Sequence, residues 1–285
     1  MQFAGVIIGA QYICVFYKKI KLEMGRIEKM KEVIRVTKEF FNENHGKIQI
    51  FESQEDSIRE LFPFLEQMED FDKPDAFSVI GNKALIIEHF EFDSTHSNSK
   101  GSSNRIEQAR IEREFTEEIN KKELQPGETF MRHDVLPVHH SIENYIKNAV
   151  EAFNNHYEKI ESYICNLMKE GKITRATDVK VMFWIEDTTF MGNFFRIKSP
   201  TYDTPRQELV LLYCDKFLDV LETCEKLDYI LCFSHYGPDK FCCFLDMNHI
   251  NDYREIQVRT EDIEIIDFEP HVISAAFAFD GEAIR

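Results

Sequence analysis

The chain is poor in basic side chains, in tryptophan and in the short glycine-rich signatures of nucleotide chemistry, and each shortage removes a class of protein. Against 51 Asp and Glu there are only 34 Lys and Arg, a formal charge of −17. That balance opposes sequence-independent binding to nucleic acid, because neutralisation of phosphates by Lys and Arg supplies most of that affinity. A nucleic-acid partner would need positive charge concentrated locally. Two stretches offer it: Lys18 to Lys38, and Arg105, Arg110 and Arg113 on one predicted helix. The bland alternative for both is a solvated helix face, and it leaves a protein partner as the other reading. No Gly-x-Ser-x-Gly is present, no glycine-rich loop ending in Lys-Ser or Lys-Thr, and no Gly-x-Gly-x-x-Gly after a strand. Serine-hydrolase, nucleotide-driven and dinucleotide chemistry therefore lack sequence support. The 7 cysteines are an odd number without a Cys-x-x-Cys spacing. No zinc ribbon follows, and the expected compartment is reducing and cytoplasmic.

Phenylalanine is abundant instead, 25 residues against one Trp. The Phe residues are scattered through apolar segments, which reads as core material for a globular protein and not as a row of exposed stacking residues. Cys232, Cys242 and Cys243 sit in similar apolar runs, as small buried hydrophobes. Phe3 to Tyr17 is apolar apart from Gly5, Gly9 and Gln11, and Lys18, Lys19 and Lys21 follow it. As a helix it would span about 22 Å, short of a hydrocarbon core of roughly 30 Å, so no membrane span is expected. The segment 1–23 reads either as a buried first strand or as an extension ahead of a natural start at Met24.

The most informative stretch runs from Pro74 to Glu88. If Gly81-Asn82 form a two-residue turn, Ile80 faces Lys83, Phe77 faces Ile86 and Asp75 faces Glu88. Two like charges so placed repel unless they are solvated, one is protonated, or a divalent cation sits between them. Ala84-Leu85-Ile86-Ile87 is apolar on both strand faces, which predicts a strand covered on both sides and a charge lodged near the interior.

A Pro-Asp ahead of one strand and an acid on the next strand after a short turn resembles the PD-(D/E)xK nuclease superfamily, the restriction-endonuclease-like fold. The resemblance covers about Lys47 to Phe115, including the helical segment Gln54 to Met68 ahead of the hairpin and a helix behind it. It implies that Asp75 and Glu88 hold Mg²⁺ or Mn²⁺ as catalytic residues and that a Lys two residues beyond the Glu assists the attacking water. This chain departs there: Phe90 occupies the Lys position in Glu88-His89-Phe90. Lys73, Lys100 and Arg105 are substitutes by sequence proximity, and Arg105 and Arg110 are candidates to contact substrate.

From Met24 the pattern predicts a helix over Ile27 to Asn42, a strand at Lys47 to Phe51, and a helix begun by Ser53 with Asp56 close to a capping box. After the hairpin come a polar, mobile loop over Asp93 to Asn104 and a helix over Arg105 to Lys122. A long helix then runs from Ser141 to Lys169, followed by a strand at Val179 to Glu186 and a helix over Pro205 to Cys224. Strands are predicted at Tyr229 to Ser234, Phe241 to Asp246, Ile263 to Phe268 and Val272 to Phe279. The order defines an α/β or α+β protein: a mixed central sheet with helices on both faces, a nuclease-like core at about 47–125 and a C-terminal elaboration, in one domain over 24–285.

Three further constellations bear chemistry. His89, Glu91 and Asp93 alternate onto the strand face opposite Glu88, a metal-compatible set. Glu186-Asp187-Thr188-Thr189 closes a strand, where acids line a site at a sheet's carboxyl edge or cap the next turn. His139-His140 and Glu143 flank a helix start. Two functions follow: a divalent-metal-dependent nuclease that hydrolyses DNA or RNA phosphodiesters, and a catalytically inactive pseudo-nuclease acting as a binding or scaffold protein.

Overall fold

The hairpin forms with the predicted register in a computed structural model of the chain. The structure describes residues 48–49, 51–95, 97–98, 101–122, 129–136, 141–189, 195–197, 210–236, 239–265 and 271–278. Ile80 pairs with Lys83 and Phe77 with Ile86. Gly81 turns the chain at a φ of 64°, in the left-handed region that favours glycine. The segment 1–23, the start at Met24 and the helix Ile27 to Asn42 lie outside the described residues, as do Lys18 to Lys38, Lys100 and His139-His140.

In chain order the elements are β1 (Ile48–Gln49), α1 (Glu55–Glu66), β2 (Glu69–Asp70), β3 (Ala76–Ile80), β4 (Lys83–Phe92), β5 (Ser97–Asn98), β6 (Gly101–Ser102) and α2 (Ser103–Lys121). There follow β7 (Thr129–Leu136), α3 (Ile142–Tyr157), α4 (Ile160–Lys169), β8 (Asp178–Asp187) and β9 (Phe195–Ile197). The last are α5 (Asp215–Leu221), β10 (Tyr229–Tyr236), β11 (Asp239–Asp246), α6 (Ile250–Glu255), β12 (Ile263–Ile265) and β13 (His271–Ala278). Contacts group the described residues into two compact units, where the sequence predicts one elaborated domain. One holds those from 48 to 94 and from 141 to 265, the other those from 95 to 136 and from 271 to 278.

The larger unit is built on a 7-stranded mixed sheet of order β1-β11-β10-β8-β4-β3-β2. At its centre β4, β8 and β10 run parallel, and the antiparallel partners β3 and β11 flank them. Ala84 to Ile87 of β4 are buried on both faces, as their apolar run predicts. On one face Ile58, Leu61 and Leu65 of α1, at helical spacing, cover Leu85, Ile87, Met182, Trp184 and Phe233. On the other, α3, α4 and α5 bury Phe77, Ile86, Phe90, Phe153, Phe183 and Phe217. These phenylalanines are thus core, and helices cover both faces of the sheet. Cys232, Cys242 and Cys243 are buried, as their apolar runs predict. Among the described residues no helix is long and apolar enough to cross a membrane.

The structure departs from the pattern at several joints. Ser53 does not cap α1. Its hydroxyl donates to Asp252 Oδ2 at 2.5 Å, and α1 starts at Glu55 behind a 3-10 turn over Glu52–Gln54. The single helix expected over Ser141 to Lys169 is two helices, α3 and α4, with a turn between them. The described part of the helix expected over Pro205 to Cys224 is a 3-10 turn, Leu211–Tyr213, and the short α5.

In the smaller unit, part of the loop expected over Asp93 to Asn104 forms the β5–β6 pair, and α2 already begins at Ser103. Ser102 caps that helix by accepting from the Arg105 N–H at 3.3 Å. Strand β7, absent from the sequence reading, pairs antiparallel with β13. Phe115 of α2 stacks on Phe130 of β7 with ring centroids 5.5 Å apart.

Candidate functional site

Asp75 and Glu88 do meet, and the backbone of the hairpin is what they hold. The Asp75 N–H donates to Glu88 Oε2 at 3.1 Å, and the His89 N–H donates to Asp75 Oδ2 at 2.8 Å. Each acid thus accepts from the strand opposite, so the side chains continue the β3–β4 ladder where its backbone pairing ends at Ala76. Both are buried, with 6% relative exposure each.

Two side chains from the helices above complete the cluster. His156, near the C-terminus of α3, brings Nδ1 to 2.7 Å from Glu88 Oε1, and Tyr163 of α4 donates its phenol to the same oxygen at 2.8 Å. In a continuous helix these residues would be separated by about 10 Å along the axis. The turn between α3 and α4 allows both to reach one atom. Burial pushes the Glu88 carboxyl up, but the hydrogen bonds from His156 and Tyr163, the charge of His156 and the Asp75 N–H outweigh it and hold the group below its ordinary value. Burial, followed by the Glu88 hydrogen bond and charge, pushes the Tyr163 phenol far up, so it stays a donor.

Phe90, at the position the resemblance assigns to Lys, is part of the same packing. Its ring stacks on His156 at 4.8 Å and 13° and meets Phe183 edge-on at 5.6 Å. Of the substitutes considered, Lys73 is exposed, and Arg105 belongs to α2 in the other unit. Arg110 of α2 is held by its own helix, donating to Glu107 at 2.8 Å and Glu114 at 2.6 Å. Its guanidinium is thereby engaged, and Arg113 is exposed on the same helix.

The pair fits Mg²⁺ or Mn²⁺ poorly as arranged. A carboxylate offers about four lone-pair positions, and donors already take three of those of Glu88. Mg²⁺ asks for six oxygens in near-octahedral array, and N–H and O–H dipoles aimed at the acceptor oppose a cation.

A second group lies on the other face of β4. Glu91 stands directly opposite Glu186 in the parallel β4–β8 register, and His89 stands opposite Trp184. His89 Nε2 lies 3.0 Å from Glu186 Oε2, and one ligand atom each of His89, Glu91 and Glu186 fall within 4.8 Å of one another. This joins two sets the sequence kept apart, His89 with Glu91 and Glu186 with its strand end, because parallel register between strands so distant in sequence has no local signature. Asp93 falls outside the trio, beyond the end of β4. Its charge acts on Asp187, which is buried on the α3 side, accepts from Tyr145 at 2.8 Å, and binds the Thr189 N–H at 2.8 Å. Burial pushes the Asp187 carboxyl up to about 6 against those hydrogen bonds. Glu143 is exposed in the first turn of α3. His156 and Tyr163 were not singled out from the sequence, and only the misplaced aromatic at Phe90 hinted that something else occupied the Lys position.

Compared with known proteins, the chain matches no family model, no curated protein and no solved structure.

Proposed function

We propose that the chain is a PD-(D/E)xK-like protein whose motif acids serve the fold, and that it acts as a non-catalytic binding or scaffold protein. The observation that carries this reading is the occupancy of Glu88, whose two oxygens accept from His156, Tyr163 and the Asp75 backbone. The core packing of Phe90, in place of a basic residue, supports it. A formal charge of −17 favours a basic protein surface over nucleic acid as the partner.

A metal-dependent nuclease is the second reading, and one contact favours it. Glu88 engages His156 through Nδ1, the arrangement in which a carboxylate orients an imidazole as general base with Nε2 left to take the proton.

The test is Mn²⁺ calorimetry and a DNA and RNA cleavage screen on the parent, Asp75→Asn and Glu88→Gln. The non-catalytic reading expects neither cation binding at the pair nor cleavage in any of the three. Cleavage by the parent that Glu88→Gln abolishes would replace it with the nuclease.

A further inference from the structure

We infer that His89, Glu91 and Glu186 form a binding site for one divalent transition-metal ion, on the sheet face opposite Asp75 and Glu88. The inference goes beyond the proposed function and does not depend on it. Two carboxylates brought side by side by strand register repel, and a cation between them converts the repulsion into coordination. Here Glu91 and Glu186 are register partners, and the Glu186 side chain retains only 3% of its exposure. The third ligand is an imidazole, with Nε2 already 3.0 Å from a Glu186 oxygen. One nitrogen and two carboxylates suit Zn²⁺, Mn²⁺ or Fe²⁺ better than Mg²⁺, which prefers oxygen and retains its water. All three residues sit on the β4 and β8 strands of the central sheet, a rigid base for ligands.

An independent observation points to the same place. Trp184, two residues before Glu186 on the same strand face, packs its ring edge-on against His89 at 5.0 Å. Its indole Nε1 is buried and has no hydrogen-bond partner among the described residues. An N–H donor in that state asks for an acceptor, and a water or anion carried by a metal at the neighbouring trio is of the right kind.

Trp184 also provides the assay, since the chain has no other tryptophan. The full chain, stripped with chelator, is titrated with Co²⁺ while tryptophan fluorescence is recorded, with Zn²⁺ and Mg²⁺ as competitors and circular dichroism to confirm that each variant is folded. The expected result is saturable quenching that Zn²⁺ reverses and Mg²⁺ does not. Affinity should fall about tenfold or more in Glu186→Gln and in Glu91→Gln, while Glu88→Gln leaves it unchanged. Glu91 is half-buried, so its variant keeps the inference testable if Glu186→Gln fails to fold. Absence of quenching, or quenching that survives Glu91→Gln, overturns the site. Quenching lost in Glu88→Gln and kept in Glu91→Gln would assign the ion to the motif acids, overturning both this inference and the non-catalytic reading. Phosphodiester cleavage that needs the ion and is lost only in Glu91→Gln or Glu186→Gln would overturn the non-catalytic reading alone.

Discussion

Glu88 and Glu91 belong to one strand and face opposite sides of one sheet, yet they solve the problem of a carboxylate near the interior in different ways. Glu88 is surrounded by donors, one from the facing strand and two from the helices above. Glu91 is set in register with another acid, Glu186, beside an imidazole. The first arrangement is satisfied by the chain itself and contributes to folding. The second gathers ligand atoms that complement an ion from outside. On the two readings proposed above, the element lying over each position, and not residue type, separates an acid that serves the fold from one offered to an ion.

The comparison breaks most severely at Glu88. Replacing it with Leu strands His156 and Tyr163 on a buried face, and the expected loss is about 3–5 kcal/mol by urea denaturation, as when one member of a buried charged pair is removed. Equal stability of parent and Glu88→Leu would show that the cluster does not hold the fold. Glu88→Gln keeps the shape, and its signature is in pH. Because the folded pKa of Glu88 is lowered, its contribution is present above the unfolded value and disappears as pH falls through the folded one. Acid denaturation curves of parent and Glu88→Gln should therefore converge at low pH.

Asp187 has the opposite sign. Its pKa is raised from 3.8 to about 6, so the folded state binds the extra proton, and stability present below the unfolded value is lost as pH rises through the folded one. The loss across that window is up to about 3 kcal/mol, and Asp187→Asn should flatten it. A slope unchanged in Asp187→Asn would assign the dependence to another group.

Smaller effects refine the contrast. Tyr163→Phe removes one of three donors to Glu88 and should cost about 1–2 kcal/mol, whereas no loss would mean that water replaces the phenol. Gly81→Ala forces a side chain into the left-handed region at the hairpin turn, with nothing around it to clash. About 1 kcal/mol is expected by thermal or chemical denaturation, and a neutral result would mean that the turn relaxes to another type.

Much of the hairpin was legible because its determinants are local. Gly81-Asn82 fixes the turn, the turn fixes the register, and the apolar run of β4 announces a strand covered on both faces. The central strands β8 and β10 and the helix over α2 were visible for the same reason. What stayed hidden depends on distant partners. Glu158 and Lys159 have no helix-breaking character, and the chain turns there while His156 and Tyr163 both reach Glu88, which no window around residue 158 contains. Strand β7 is defined by β13, more than a hundred residues away. The metal-compatible trio needed the parallel β4–β8 pairing before Glu186 could join His89 and Glu91.

Phe90 fixes how the motif position can be re-engineered. Its ring lies between His156 and Phe183 with 5% exposure, so Phe90→Lys would place an ammonium in an apolar slot beside an imidazole and remove an aromatic from the core. Introducing the basic residue that the resemblance would place there is therefore not a one-step exchange. The helix turn that delivers His156 would have to be redesigned with it, and the position marks a commitment made by the packing as a whole.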